Sequence, residues 1–284
     1  MEEREQTSPY GNFKITCYEE NTHHYTAPFL YTLQGMAVDN KAQLECIYHL
    51  TYQVDTITKH SNNAMMVLRR NEEKSLFYAQ AEFEFDSLSQ NSTGMESYYA
   101  IRDTIKAKYG GITAHYFVLK DFGKQQLDFL ETIPRRSKYT EPLPSFNWKI
   151  TEEQKTIGEH QCQKATCVFG GRTYEVWFAP DIPISDGPWK FHGLPGLILE
   201  AYDTQHHYEF LFQGMRPCAG KIEIPVEKYS KTTKKDFLRI KQLSIDDPNA
   251  MLEIMSAEIG AKVTQRAPKR WSYATMERVE SVGK

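Results

Sequence analysis

A turn-rich segment at residues 181–200, DIPISDGPWKFHGLPGLILE, constrains the fold of this chain more than any other stretch. Within Leu194–Gly196, the proline fixes φ for the first central position of a type II turn, and the glycine supplies the positive φ that the second position requires. Gly187–Pro188 predicts another reversal, and Leu197–Ile198 begins an apolar strand pattern. We therefore expect a loop of fixed shape that leads into a strand.

Composition favours a protein built mainly from strands. Aromatic residues make up 13% of the 284 residues, with 17 tyrosines, and such side chains suit half-buried strands. Cys46, Tyr48, Leu50 and Tyr52 occupy every second position, which predicts a strand with one buried face. The fold class expected is mainly β with some α: a large curved antiparallel sheet or partly open barrel, one packed helix and C-terminal helices.

Local patterns give an outline of the chain. Gly170–Gly171 separates two strand patterns and predicts a two-residue hairpin turn. Apolar residues at three- and four-residue spacing predict a helix near 94–109, and prolines predict a surface linker over 134–144. We expect a first strand at 13–19.

The expected organisation is a single domain over 1–284. It consists of a β-rich core over 10–226, which includes the helix near 94–109, and a helical C-terminal extension over 227–284.

Charge and hydropathy limit the classes of partner. The formal net charge is −3, from 34 Lys and Arg against 37 Asp and Glu, which argues against a nucleic-acid-binding protein. No apolar run approaches the ~20 residues of a membrane-spanning helix. Five cysteines are too few for a disulfide scaffold, and the acidic, polar start is unlike a signal peptide.

The segment Gly193, Leu194, Pro195, Gly196, Leu197 and Ile198 is the signature of the GLPGLI family, common in Bacteroidetes, and the chain resembles that family. The resemblance extends to Asn147–Lys149, Gly171–Arg172, Trp177–Phe178, Asp181–Pro183 and Leu199–Glu200. It departs at Gly158–His160, where the family usually has an aromatic residue. Membership implies an exported protein of the periplasm or cell envelope whose activity is not established.

Five residues around this signature are candidate ligand contacts: Arg172, Trp177, Trp189, Phe191 and His192. An arginine can bind a carboxylate through two hydrogen bonds, although it more often pairs with a neighbouring strand. Aromatic rings can line a cleft, although at a turn-rich sheet end they are usually core residues. Because the sequence has no recognised nucleophile or metal motif, we expect a non-catalytic binding or carrier protein for a hydrophobic or peptide ligand. The family resemblance adds a cell-envelope protein as the alternative partner.

The alternative is a metal-binding protein or a metal-assisted hydrolase. His160 and Cys162 lie two residues apart on a predicted strand, so both side chains project from one face and could supply half of a metal site. Acidic residues near 181 could complete it. An exposed histidine beside a half-buried thiol is the simpler explanation of the pair, because zinc sites usually need three or four ligands and none is supplied locally. The sequence identifies neither a cofactor nor a catalytic residue.

Overall fold

The structure is a computed structural model that describes residues 40–55, 58–133, 135–225, 228–258 and 275–277. Contacts divide the chain into a unit of residues 1–39 and a unit of residues 40–284, so every described residue belongs to the second unit. The strand predicted at 13–19 lies outside the described residues. The single-domain organisation over 1–284 stays a prediction.

The described residues form twelve strands and four helices, which confirms a mainly β fold with some α. In chain order the strands are β1 (Leu44–Asp55), β2 (His60–Arg70), β3 (Lys74–Ala79), β4 (Tyr116–Asp121), β5 (Gln126–Thr132), β6 (Arg136–Pro142), β7 (Lys149–Ile157), β8 (His160–Phe169), β9 (Arg172–Ala179), β10 (Leu197–Asp203), β11 (Tyr208–Pro217) and β12 (Ser230–Lys231). The helices are α1 (Gln80–Ser89), α2 (Met95–Tyr109), α3 (Lys234–Asp246) and α4 (Pro248–Glu258).

All of these strands belong to one sheet, in the order β12-β6-β5-β4-β3-β2-β1-β11-β10-β9-β8-β7. Neighbours pair antiparallel, except that β12 runs parallel to β6. The β8–β9 hairpin turns at Gly170 and Gly171, which confirms the predicted two-residue turn, and their φ values of 56° and 72° are those of a type I′ turn. In β1 the side chains of Cys46, Tyr48 and Leu50 are buried, as their spacing predicts.

The sheet bends strongly but stays open, since no ladder joins β7 to β12 in the described part of the chain. The ammonium of Lys190 lies 5.2 Å from the ring centre of Tyr139 on β6 and 6.0 Å from that of Phe169 on β8. These strands are nine positions apart in the sheet, about 43 Å in a flat sheet. One side chain contacts both rings because the sheet curves around it.

The convex face of β2–β5 is covered by α1, a helix that the sequence patterns did not predict. Phe83 of α1 stacks on Tyr78 of β3 with ring centres 4.4 Å apart, and Phe117 and Leu130 complete a smaller core there. The predicted helix near 94–109 is α2, and its Tyr98 contacts Phe85 of α1. Thr233 is the N-cap residue of α3, and its hydroxyl accepts a hydrogen bond from the backbone N–H of Asp236.

Two local predictions are wrong. Residues 134–144 are not a linker, because Arg136–Pro142 form β6 and pair with β5 throughout. Gly196 is not at the positive-φ position of a type II turn, and it is Gly193 that has a positive φ, of 93°. Gly196 is required for a different reason: a Cβ at this position would lie 2.2 Å from the carbonyl oxygen of Ala179 on the neighbouring chain segment.

Gly196→Ala should therefore destabilise the fold by about 3 kcal/mol, because backbone atoms of Ala179 and Pro180 would have to move. Gly123→Ala is the matched control, since its added Cβ would meet only Asp121 Oδ1 at 3.5 Å and should change stability by less than about 0.5 kcal/mol. Chemical denaturation of both variants measures the difference. Equal stabilities would refute the close-approach explanation.

Candidate functional site

Within the segment 181–196, residues Asp186–Phe191 lie on the concave face, where a buried lysine of β4 fixes the main chain. The Lys120 ammonium donates to the carbonyls of Gly187 at 2.9 Å and Phe191 at 3.2 Å, and it pairs with the carboxylate of Asp186. Lys120 and Asp186 are both fully buried. Burial lowers the pKa of Lys120, although Asp186 opposes this effect. The contacts compensate for the cost of burying an ammonium group.

Three consecutive side chains, Trp189, Lys190 and Phe191, are buried in this segment, with relative exposures of 1%, 0% and 0%. An extended strand would direct them alternately to opposite faces. Trp189 instead has a φ of 53°, in the left-handed region that bulky residues rarely adopt. Such a conformation costs about 1–3 kcal/mol and persists only where the surroundings impose it, as they often do at functional sites.

Lys190 lies at the centre of a buried charged network. Its ammonium donates to the Tyr139 hydroxyl at 2.8 Å, to Glu141 at 2.6 Å and to Glu277 at 2.7 Å. Lys234 of α3 pairs with both of these carboxylates. Burial opposes the ionisation of Glu277, but the two ammonium groups outweigh it and hold the pKa of this carboxyl below its ordinary value.

An aromatic cavity adjoins this network between β5, β6, α3 and residues 275–277. Its apolar lining consists of Phe129, Tyr139, Trp189, Phe237, Leu238 and Met276. The cavity volume is about 20 Å³, enough for one water molecule. Trp189 Nε1 is buried and has no hydrogen-bond partner among the described residues. The cavity therefore has a largely aromatic lining, to which Lys241, Thr275 and Glu277 add polar groups.

The structure brings three of the five predicted ligand contacts to the concave face near this cavity. Trp189 and Phe191 contact each other, with ring centres 5.1 Å apart, and both contact Tyr174. Arg172 is buried and donates to Asp203 at 2.7 Å and to the carbonyl of Thr275 at 2.6 Å. Trp189 also lines the cavity. A ligand-binding role for these residues stays a prediction.

The other two predicted contacts lie elsewhere. The ladder pairs Trp177 with Lys164 on the convex face, where the Lys155 ammonium lies 4.5 Å from the Trp177 ring centre. His192 follows the buried turn and contacts the Phe146 ring, and its Nε2 has no partner in the described ranges. Burial, together with the charge of Lys120, lowers the pKa of His192 to about 4, so the imidazole is neutral at physiological pH.

The candidate metal residues lie on the convex face of β8. His160 Nδ1 is 2.7 Å from Asp181 Oδ2, so the predicted proximity of an acidic residue is present. Burial and the charges of Asp181 and Glu200 raise the pKa of the Cys162 thiol to about 11, which makes it a poor nucleophile at neutral pH. The described residues contain no group of three or more His, Cys, Asp or Glu side chains that could hold a metal ion. The metal site and the metal-assisted hydrolase activity stay predictions.

Sequence reasoning identified Arg172 but missed Lys120, Lys190 and Glu277 on the concave face. Lys120 follows Tyr116 and Val118 at two-residue spacing, and this parity places its side chain on the buried face of β4. That inward position was a usable signal. No local sequence pattern marks Lys190 or Glu277 as buried, because their partners are distant in the sequence.

Comparison with known proteins identifies a short match. Residues 169–200 match the family model described as "Protein of unknown function (Porph_ging)", which is associated with Bacteroidetes. The matched stretch contains the hairpin turn at Gly170–Gly171, β9 and the whole 181–196 segment. No curated protein matches the chain.

Two solved structures of PNGF-II, in space groups P21 and C2, show a distant likeness with TM-scores of 0.49 and 0.48. Each is 13% identical over 72% of this chain. The alignments cover 34% and 33% of those chains, so this chain spans about a third of their length. A likeness at this level supports no inference about function.

Replacing Lys190 tests the importance of the buried network. Lys190→Met should destabilise the protein by about 3–5 kcal/mol, because Tyr139 loses its partner and Lys234 alone faces two buried carboxylates. The matched control is Lys155→Met, which removes a partly exposed pair with Glu200 on the convex face and should cost less than about 1 kcal/mol. Equal losses in urea denaturation would contradict a special role for Lys190.

Proposed function

We propose that this chain is a non-catalytic binding or carrier protein that holds an apolar or peptide ligand in the cavity beside Trp189. The observation that carries the proposal is the lining itself: four aromatic rings and two aliphatic side chains surround a space next to fixed charges. Small-molecule and peptide sites share this arrangement, in which apolar walls supply affinity and a few polar groups set orientation.

The charges beside the cavity support binding. Lys190 and Lys234 pair with Glu277, and Lys241 pairs with Glu131 at 2.7 Å. Side chains that ion pairs hold in place beside an apolar wall are suited to orienting a ligand.

Ligand entry requires a rearrangement, because a volume of about 20 Å³ is far below the roughly 300–1,000 Å³ of typical small-molecule sites. Met276 supplies one wall and is the cavity's most readily displaced side chain, since it is unbranched and belongs to a short stretch outside the sheet. A ligand that takes the place of Met276 would contact the same rings.

We also propose that the chain is a member of the GLPGLI family. As part of the same proposal, the protein is located in the periplasm or cell envelope. The verbatim signature at Gly193–Ile198 and the match of residues 169–200 to an uncharacterised Bacteroidetes-associated family support this assignment. In the described ranges, the helices are too short or too polar to cross a membrane. A cell-envelope protein that supplies or receives the ligand is the expected partner.

A fluorescent apolar probe tests the site. Met276→Ala in the full chain should enlarge the cavity, so that N-phenyl-1-naphthylamine binds at least about tenfold more tightly than to the unaltered protein, with quenching of tryptophan fluorescence. Ile150→Ala, which truncates an exposed side chain, should leave probe binding unchanged. Identical probe affinities for the two variants would show that the cavity is not the binding site.

A further inference from the structure

Residues Thr275–Glu277 contact the concave face in the way that a bound peptide would. The carbonyl of Thr275 accepts a hydrogen bond from Arg172 Nε at 2.6 Å, and the carbonyl of Met276 accepts one from the Tyr174 hydroxyl at 2.5 Å. Both donors are buried side chains of β9, with exposures of 4% and 1%. Within Thr275–Glu277 these two donors bind only main-chain carbonyls, so the two hydrogen bonds do not depend on which residues occupy these positions.

The side chains of Met276 and Glu277 lie in two different environments. Met276 lies in the aromatic cavity and is 7% exposed. A thioether makes favourable contacts with aromatic rings, and other apolar side chains would also fit there. The carboxylate of Glu277 instead contacts the ammonium groups of Lys190 and Lys234. Two cations around one carboxylate favour an acidic residue at this position.

Two buried hydrogen-bond donors near Thr275–Glu277 are not fully used. Arg172 Nη2 and Trp189 Nε1 form no hydrogen bond within the ranges that the structure describes. Buried polar groups in native proteins are nearly always paired. Both donors are therefore open to acceptors that lie beside Thr275–Glu277.

We propose that this groove, formed by β9, β6, α3 and the Trp189–Phe191 turn, binds a peptide segment in which an apolar residue directly precedes an acidic residue. Thr275–Glu277 occupy the groove in the free protein and compete with such a peptide. The inference rests on the proposed binding function and specifies its ligand class.

Thr275–Glu277 in the groove lower the apparent affinity of the protein for a free peptide. A tethered segment acts at an effective concentration on the order of millimolar, so a free peptide binds weakly until the segment is displaced. Met276→Asp in the full chain should release the segment, because an aspartate cannot be accommodated among the rings of the cavity. This variant should bind the peptide at least tenfold more tightly than the unaltered protein.

The probe is a fluorescein-labelled nine-residue peptide with the sequence of residues 272–280, SYATMERVE, measured by fluorescence anisotropy. Versions of the peptide carrying Met276→Asp or Glu277→Gln should bind the Met276→Asp protein at least tenfold more weakly. Adding Lys234→Ala to that protein should weaken binding of the original peptide about tenfold while hardly changing binding of the Glu277→Gln peptide. Equal affinity for all three peptides would overturn the inference.

Two further measurements keep the outcomes distinct. Near-ultraviolet circular dichroism checks that Met276→Asp is folded, and Glu277→Gln in the full chain is the milder alternative if it is not. N-phenyl-1-naphthylamine is added to the same released protein. If this probe binds and the peptide does not, the peptide inference fails while the proposed apolar-binding function stands. If neither binds, both fail.

Discussion

The buried ammonium of Lys190 is the interaction on which the rest of the concave face depends. Removing an ammonium group from water is costly unless partners surround it, and here a hydroxyl and two carboxylates do so. The partners come from β6 and from Glu277, while Lys190 itself belongs to the turn between β9 and β10. One charge therefore joins parts of the chain that are up to 138 residues apart in the sequence, because Tyr139 and Glu277 both contact it.

The second buried ammonium, on Lys120, makes this arrangement possible. It binds two main-chain carbonyls and Asp186, and so fixes the path of the chain on either side of Trp189. With its neighbours fixed, Trp189 adopts a conformation that an isolated chain would avoid. The apolar signature follows directly and enters β10 past Ala179, where only glycine fits at position 196. These contacts fix the main chain on both sides of Trp189 and the entry of the signature into β10.

Sequence patterns predicted those parts of the fold that depend on neighbours in the chain. Alternation along β1 and the Gly170–Gly171 turn were recoverable because their causes are local. Helix α1 was not, because its two fully buried positions are the acidic residues Glu82 and Asp86, which reverses the usual apolar pattern. The candidate site was predicted only in part: Trp189 was identified, but its charged neighbours depend on contacts that no local pattern encodes.

The central claim is that the concave face is a peptide site which the protein's own residues 275–277 occupy. The ε-methyl resonance of Met276, assigned by comparison with Met276→Leu, measures this directly. In the free protein, the surrounding aromatic rings should shift this resonance away from the position of a solvent-exposed methionine. Saturation with the SYATMERVE peptide should move it to the exposed position. Peptide binding without any change in this resonance would contradict the account.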